Sequence, residues 1–189
     1  MAISVTIIDE SDYVGWAASA TRSGELTMTS AGNMVGRIIG HLTTYVPPPS
    51  SHGLLVHAMS HGRVPMPAST VGTKMSRLNI LDHGNPTSLQ LGSDWISAAN
   101  FGTYMPVLMM LKPFFDTGAF AQLQHCDAGM NIPLLEMFAD AFGVPVVAGR
   151  GFQNPVYRFN TGSFVRVHPA GAGGTRPAST TSFWGPSGQ

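Results

Sequence analysis

The chain has 189 residues, 43% of them hydrophobic and only 11% charged, with ten basic and ten acidic side chains and a formal net charge of zero. That length suits one domain with a full core, and the balanced charge excludes the basic footprint of a general nucleic-acid binder. Charge so far below the roughly 25% of ordinary soluble domains points to a face covered by a partner or another copy, although compositional drift accounts for it equally.

The N-terminal "MAISVTIIDESD" turns acidic within ten residues and has no basic region before its apolar run, so it does not read as a signal peptide. "MPVLMMLKPFF" is short and contains Lys112, which excludes a membrane span. A single cysteine leaves no internal disulfide and suits a reducing compartment. The expectation is a cytoplasmic protein without membrane or nucleic-acid partners, with export by a leaderless route leaving no trace in the residues.

In chain order, "ISVTII" (3–8) is β-branched and predicts a buried strand. Ser30 offers an N-cap to a helix whose Met34, Val35, Ile38, Ile39 and Leu42 recur at helical spacing, ending before Pro47. Residues 46–73 read as a long loop, with a short strand conceivable at 53–59. "SRLNILD" (76–82) is a strand, broken by Gly84, Asn85 and Pro86. A helix is expected within 97–112, ending before Pro113. "AFAQLQH" (119–125) is the next strand.

Asn131 then caps a helix with Pro133 in its first turn, Leu134, Leu135, Phe138 and Phe142 along one stripe, and Gly143 as its stop. "VPVVAG" (144–149) is a strand, and "PVYRF" and "SFVRV" predict an antiparallel pair turned at 160–162. Residues 1–168 form one domain, and 169–189 read as a loose tail of Gly, Ala, Pro, Ser and Thr, with Phe183 and Trp184 its one sticky point. Alternating strands and helices are the α/β signature, a mainly parallel sheet with helices on both faces.

Ligands of such sheets sit beyond the carboxyl ends of the strands, and two predicted strands end in reactive residues. One closes on Asp82-His83-Gly84, the other on His125-Cys126-Asp127, with His83 and Cys126 43 positions apart. A βαβ crossover takes about 30 residues or more, so the two strands can be neighbours roughly 4.8 Å apart. His125 adjoins Cys126 in sequence, but successive strand residues point to opposite faces, so the histidine that serves the cysteine is His83. A thiolate beside an imidazole suits acyl transfer, the imidazole taking the thiol proton and returning it to the leaving amine. Gly84 lets a carbonyl approach closely, and the amides of Gly84 and Cys126 are candidates for an oxyanion site. The N-terminus of the 131–142 helix would favour the thiolate if it lay close.

"ILDHG" and "LQHCDAG" resemble the caspase/legumain/gingipain-like cysteine peptidases, the legumain type especially, and the economy of their flanks is similar to compact bacterial CHAT-type domains. The resemblance covers residues 76–150 well and 1–45 by element order alone, and residues 46–73 have no counterpart. It implies a three-layer α/β/α sandwich of caspase-like fold and a His83–Cys126 dyad acting as a cysteine endopeptidase on a protein or peptide, with no cofactor and no metal. Legumain's substrate preference does not carry over. Asp82, Asp94 and Asp127 are candidates for substrate binding, Asp94 or Asp127 by selecting a basic side chain, and surface solvation explains these two as well.

Other readings stand beside this one. A lone cysteine is often an inert, buried small hydrophobe. His57 and His61 share the i,i+4 spacing of some zinc helices, without a Glu between them. The fold could be retained as a catalytically silent binding or assembly module, in a homo-oligomer or a protein complex. The same dyad could also run ligation or amide hydrolysis of a non-protein substrate.

Overall fold

Four of the predicted apolar strands form the centre of one sheet. The computed structural model describes residues 2–10, 25–44, 72–171 and 173–185. Strands β1 (Ala2–Asp9), β2 (Leu26–Met28), β3 (Lys74–Leu81), β6 (Phe115–Gln124), β7 (Val146–Gly149), β8 (Phe164–Val167) and β9 (Thr180–Ser182) lie in the order β2-β1-β3-β6-β7-β8-β9. The first five are parallel, while β8 and β9 add antiparallel at one edge. A separate hairpin, β4 (Ser88–Leu91) and β5 (Asp94–Ser97), follows β3.

Three helices pack side by side on one sheet face: α1 (Ala31–Thr44), α2 (Phe101–Met109) and α3 (Ile132–Phe142). Ser30 Oγ accepts from the amide of Asn33, and Met34, Val35, Ile38 and Leu42 turn inward from α1. Helix α3 follows its sequence signals closely. The Asn131 side chain accepts from the Leu134 amide at 3.2 Å, and Gly143 stops the helix at φ 70°. Leu134, Leu135, Phe138 and Phe142 are buried against the sheet, with Phe138 edge-on to Phe101 of α2. Helix α2 lies within the expected 97–112 and ends before Pro113, beginning after β5 closes at Ser97.

Val5 and Ile7 of β1, Leu78 and Ile80 of β3, Ala121 and Leu123 of β6, and Val146 and Ala148 of β7 meet these helices in one core. The opposite sheet face is mixed, with polar Arg77, Asn79 and Gln122 beside the buried Ile8 and Leu81. Asn79 donates to Thr6 Oγ1 at 3.1 Å and accepts from Arg77 Nε at 2.7 Å, and Arg77 also reaches Gln122. Phe120 lies between the guanidinium groups of Arg77 and Arg166, each 5.4 Å from its ring centre. Every described helix lies on the apolar face, so of the expected helices on both faces the described residues supply one layer. The region 46–73, with His52, His57 and His61, lies almost wholly outside the described residues.

Two expectations are corrected. Residues 155–159 form a turn rather than a strand, because the Asn154 side chain takes the amides of Val156 and Tyr157. Across that turn, Gln153 and Asn160 form an isolated bridge. The described part of the tail is also tied down rather than loose. Arg176 pairs with Asp140 at 2.7 Å and Glu136 at 3.5 Å on α3, and Thr180–Ser182 pairs with β8. No helix among the described residues is long and apolar enough to cross a membrane.

Candidate active site

Strands β3 and β6 run in register with Leu81 opposite Gln124. Extended by two residues, that register sets His83 beside Cys126, on the face away from the helices. Both side chains line one cavity of about 160 Å³ at the carboxyl edge of the sheet. Among the described residues, Leu81, Asp82, Phe152, Gln153 and Pro155 complete its wall. His83 is exposed, and Cys126 is partly buried.

The two strand ends touch through Gly84. A Cβ on that residue would lie 2.8 Å from the Cys126 carbonyl oxygen and 2.7 Å from the His125 Cβ, so only glycine allows the approach. The Cys126 sulfur accepts from the Gln153 amide at 3.3 Å, and the thiol reaches the Gln153 carbonyl at 3.9 Å. The amide holds the sulfur in place and offers a charge-assisted bond once the thiolate forms. The chain leaves Cys126 through Asp127 in the left-handed region, φ 56°, and a short 3-10 turn, Ala128–Met130, before α3 begins. The sulfur's backbone partner is therefore Gln153 rather than the first turn of that helix.

His125 takes the opposite side. It is fully buried, and its Nε2–H donates to the Gln90 carbonyl of the hairpin at 2.9 Å. Burial lowers its pKa to about 4; the Gln90 bond pulls it upward, and the charge of His83 adds to the depression. The imidazole is thus neutral at physiological pH, with Nδ1 buried and unpartnered among the described residues.

The three aspartates considered for substrate binding stand in different places. Asp82 is buried, one carboxylate oxygen accepting from the His83 amide at 2.7 Å and the other from Gly92 at 2.8 Å. It fixes the strand end to the hairpin, although it also borders the cavity. Asp94 accepts from the Ala31 amide at the start of α1, at 2.9 Å, and does not line the cavity. Asp127 is half-buried in the turn after Cys126, its amide bonded to the Gly151 carbonyl, and is likewise absent from the cavity wall.

Sequence reasoning missed the segment after β7. Phe152, Gln153 and Pro155 carry no motif, and Gln153 acts through its backbone, which no residue type announces. The segment is held by Asn160, whose side chain exchanges hydrogen bonds with the amide and carbonyl of Gly151 at 3.0 and 2.8 Å. Farther along, Arg158 reaches Glu25 at 2.6 Å, next to β2 at the other end of the sheet. The chain matches no protein-family model, no curated protein and no solved structure.

Proposed function

We propose that the protein is a cysteine endopeptidase with a caspase-like α/β/α domain, in which Cys126 is the nucleophile and His83 the acid and base. One observation carries this reading: His83 and Cys126, far apart in sequence, line the same cavity at the carboxyl edge of a parallel sheet. His83 accepts the thiol proton, and the sulfur attacks the substrate carbonyl to give a tetrahedral oxyanion, which the Gly84 and Cys126 amides bind in this reading. His83 then protonates the leaving amine, which departs and leaves a thioester on Cys126. Water, deprotonated by His83, attacks the thioester and frees the acid.

The sulfur's neighbours suit that task. The Gln153 amide aims at it, and the neutral His125 behind it adds no competing charge. The reading takes a protein or peptide as substrate and needs neither cofactor nor nucleic acid. It is tested by treating the protein with a peptidyl electrophile and mapping the adduct. The expected result is a single adduct on Cys126, together with at least a ~100-fold loss of peptide turnover in both Cys126→Ala and His83→Ala. Full turnover by Cys126→Ala refutes it.

A second reading, a silent peptidase-like module for assembly, draws on the outer strand. β9 is exposed along its length, and Phe183 and Trp184 beyond it are 87% and 84% exposed. Sedimentation across a concentration series separates the readings: self-association without turnover favours the module, and a monomer with turnover favours the peptidase.

A further inference from the structure

We infer that the substrate residue on the acyl side of the cleaved bond carries an uncharged, apolar side chain, held in the cavity beside Cys126. This rests on the peptidase reading and names the substrate class for it. The α-carbon of the acyl-side residue is bonded directly to the carbonyl that the sulfur attacks, so its side chain is the one delivered to the space next to Cys126. Among the described residues Leu81, Phe152 and Pro155 give that space its apolar wall, and the surface it presents is mostly carbon. A volume of about 160 Å³ matches the roughly 150 Å³ of an apolar cavity that admits one benzene ring. It therefore holds one aromatic or branched aliphatic side chain.

The charges among the described wall residues disfavour the alternatives. A basic side chain needs a carboxylate, and the only one in the described wall is Asp82, whose two oxygens already accept from the His83 and Gly92 amides. Asp94 serves the Ala31 amide and lies outside the wall. An acidic side chain needs a cation, and no Lys or Arg lines the described wall. His83 is the sole group there able to carry positive charge, and the reaction uses it. Desolvating a charged side chain in this cavity without a partner opposes binding.

The test uses four peptidyl acyloxymethyl ketones that differ only in the residue next to the reactive group: Leu, Phe, Lys or Asp. The rate of adduct formation on Cys126 is followed by mass spectrometry in the full chain, in His83→Ala and in Phe152→Asp. Phe152 is 61% exposed, so its replacement leaves the core intact, and a thermal melt checks this. The expected result is labelling by the Leu or Phe reagent at least ~10-fold faster than by Lys or Asp. Phe152→Asp is expected to narrow that gap by raising the Lys rate. His83-dependent labelling that is fastest with Lys or Asp overturns the inference and leaves the peptidase reading standing. Labelling that is indifferent to His83, or absent with all four reagents, removes the peptidase reading and the inference with it.

Discussion

The imidazole of His125 donates to the Gln90 carbonyl across 2.9 Å, anchoring the strand end that carries Cys126 to the hairpin that follows His83. Burial of that imidazole, against the pull of the bond, sets up a pH dependence. In the unfolded chain a histidine titrates near 6.5, whereas buried His125 titrates at about 4. Between those values the unfolded chain binds a proton that the native state refuses, so stability rises with pH across the window. It is fully present above about pH 6.5 and declines as the pH falls toward 4, by roughly 2 kcal/mol at pH 5. Urea unfolding at pH 7 and pH 5 measures the loss. In His125→Gln, whose amide can still donate to Gln90, the decline between the two should flatten; an unchanged slope would place the acid sensitivity elsewhere.

Asp82 and Asp94 should act on stability and not on the choice of substrate. Asp82→Ala leaves two backbone amides without their acceptor in a buried place, which costs about 1–3 kcal/mol. Asp94→Ala removes the acceptor at the start of α1, a loss of about 0.5–2 kcal/mol by analogy with helix caps. Denaturant midpoints report both effects. If either variant kept its stability and lost only the cleavage of basic peptides, a direct role in substrate selection would follow.

These aspartates also mark where the sequence is legible and where it is not. The strands at 2–9, 74–81, 115–124 and 146–149 announce themselves through apolar runs, and α3 through a cap, a proline and a terminal glycine, because those signals are local. That His83 and Cys126 line one cavity was legible from element order and the rule about carboxyl edges. The hairpin had a signal too: "SLQL" and "DWIS" alternate around Gly92-Ser93, with Leu89, Leu91 and Ile96 buried. β9, "TTS", had none, since all three residues are exposed and no alternation marks them. Asp94's task was hidden because its partner amide is 63 positions away. The grip of Gln153 on the sulfur was hidden because it is made by backbone.

Gly84 allows the approach of the two strand ends, and its substitution should report on that directly. In Gly84→Ala the new methyl falls 2.7 Å from His125 Cβ and 2.8 Å from the Cys126 carbonyl, both on neighbouring strand ends with little room to yield. The overpacking is expected to cost about 1–3 kcal/mol. Peptide turnover should fall as well, because the methyl pushes apart the segments bearing His83 and Cys126. Gly36→Ala is the control. It lies on the exposed side of α1 with nothing within 4 Å of a Cβ, and should stabilise the protein by about 0.5–1 kcal/mol. Equal midpoints for the two variants would show that the approach at Gly84 is not tight.

The Arg158–Glu25 pair should govern how firmly the cavity wall is held. Its side chains are only 5% and 12% exposed, and it secures the segment that carries Phe152, Gln153 and Pro155. Glu25→Gln or Arg158→Met leaves one charge buried without its partner, an expected loss of about 3–5 kcal/mol. The double variant Arg158→Met with Glu25→Leu removes both charges and should recover most of that loss. A functional consequence follows, because the same segment supplies the amide that holds the sulfur. In a single variant that remains folded at low temperature, KM for an apolar peptide should rise more than kcat falls. If both single variants match the parent in denaturant midpoint and in KM, the ion pair neither stabilises the fold nor positions the wall.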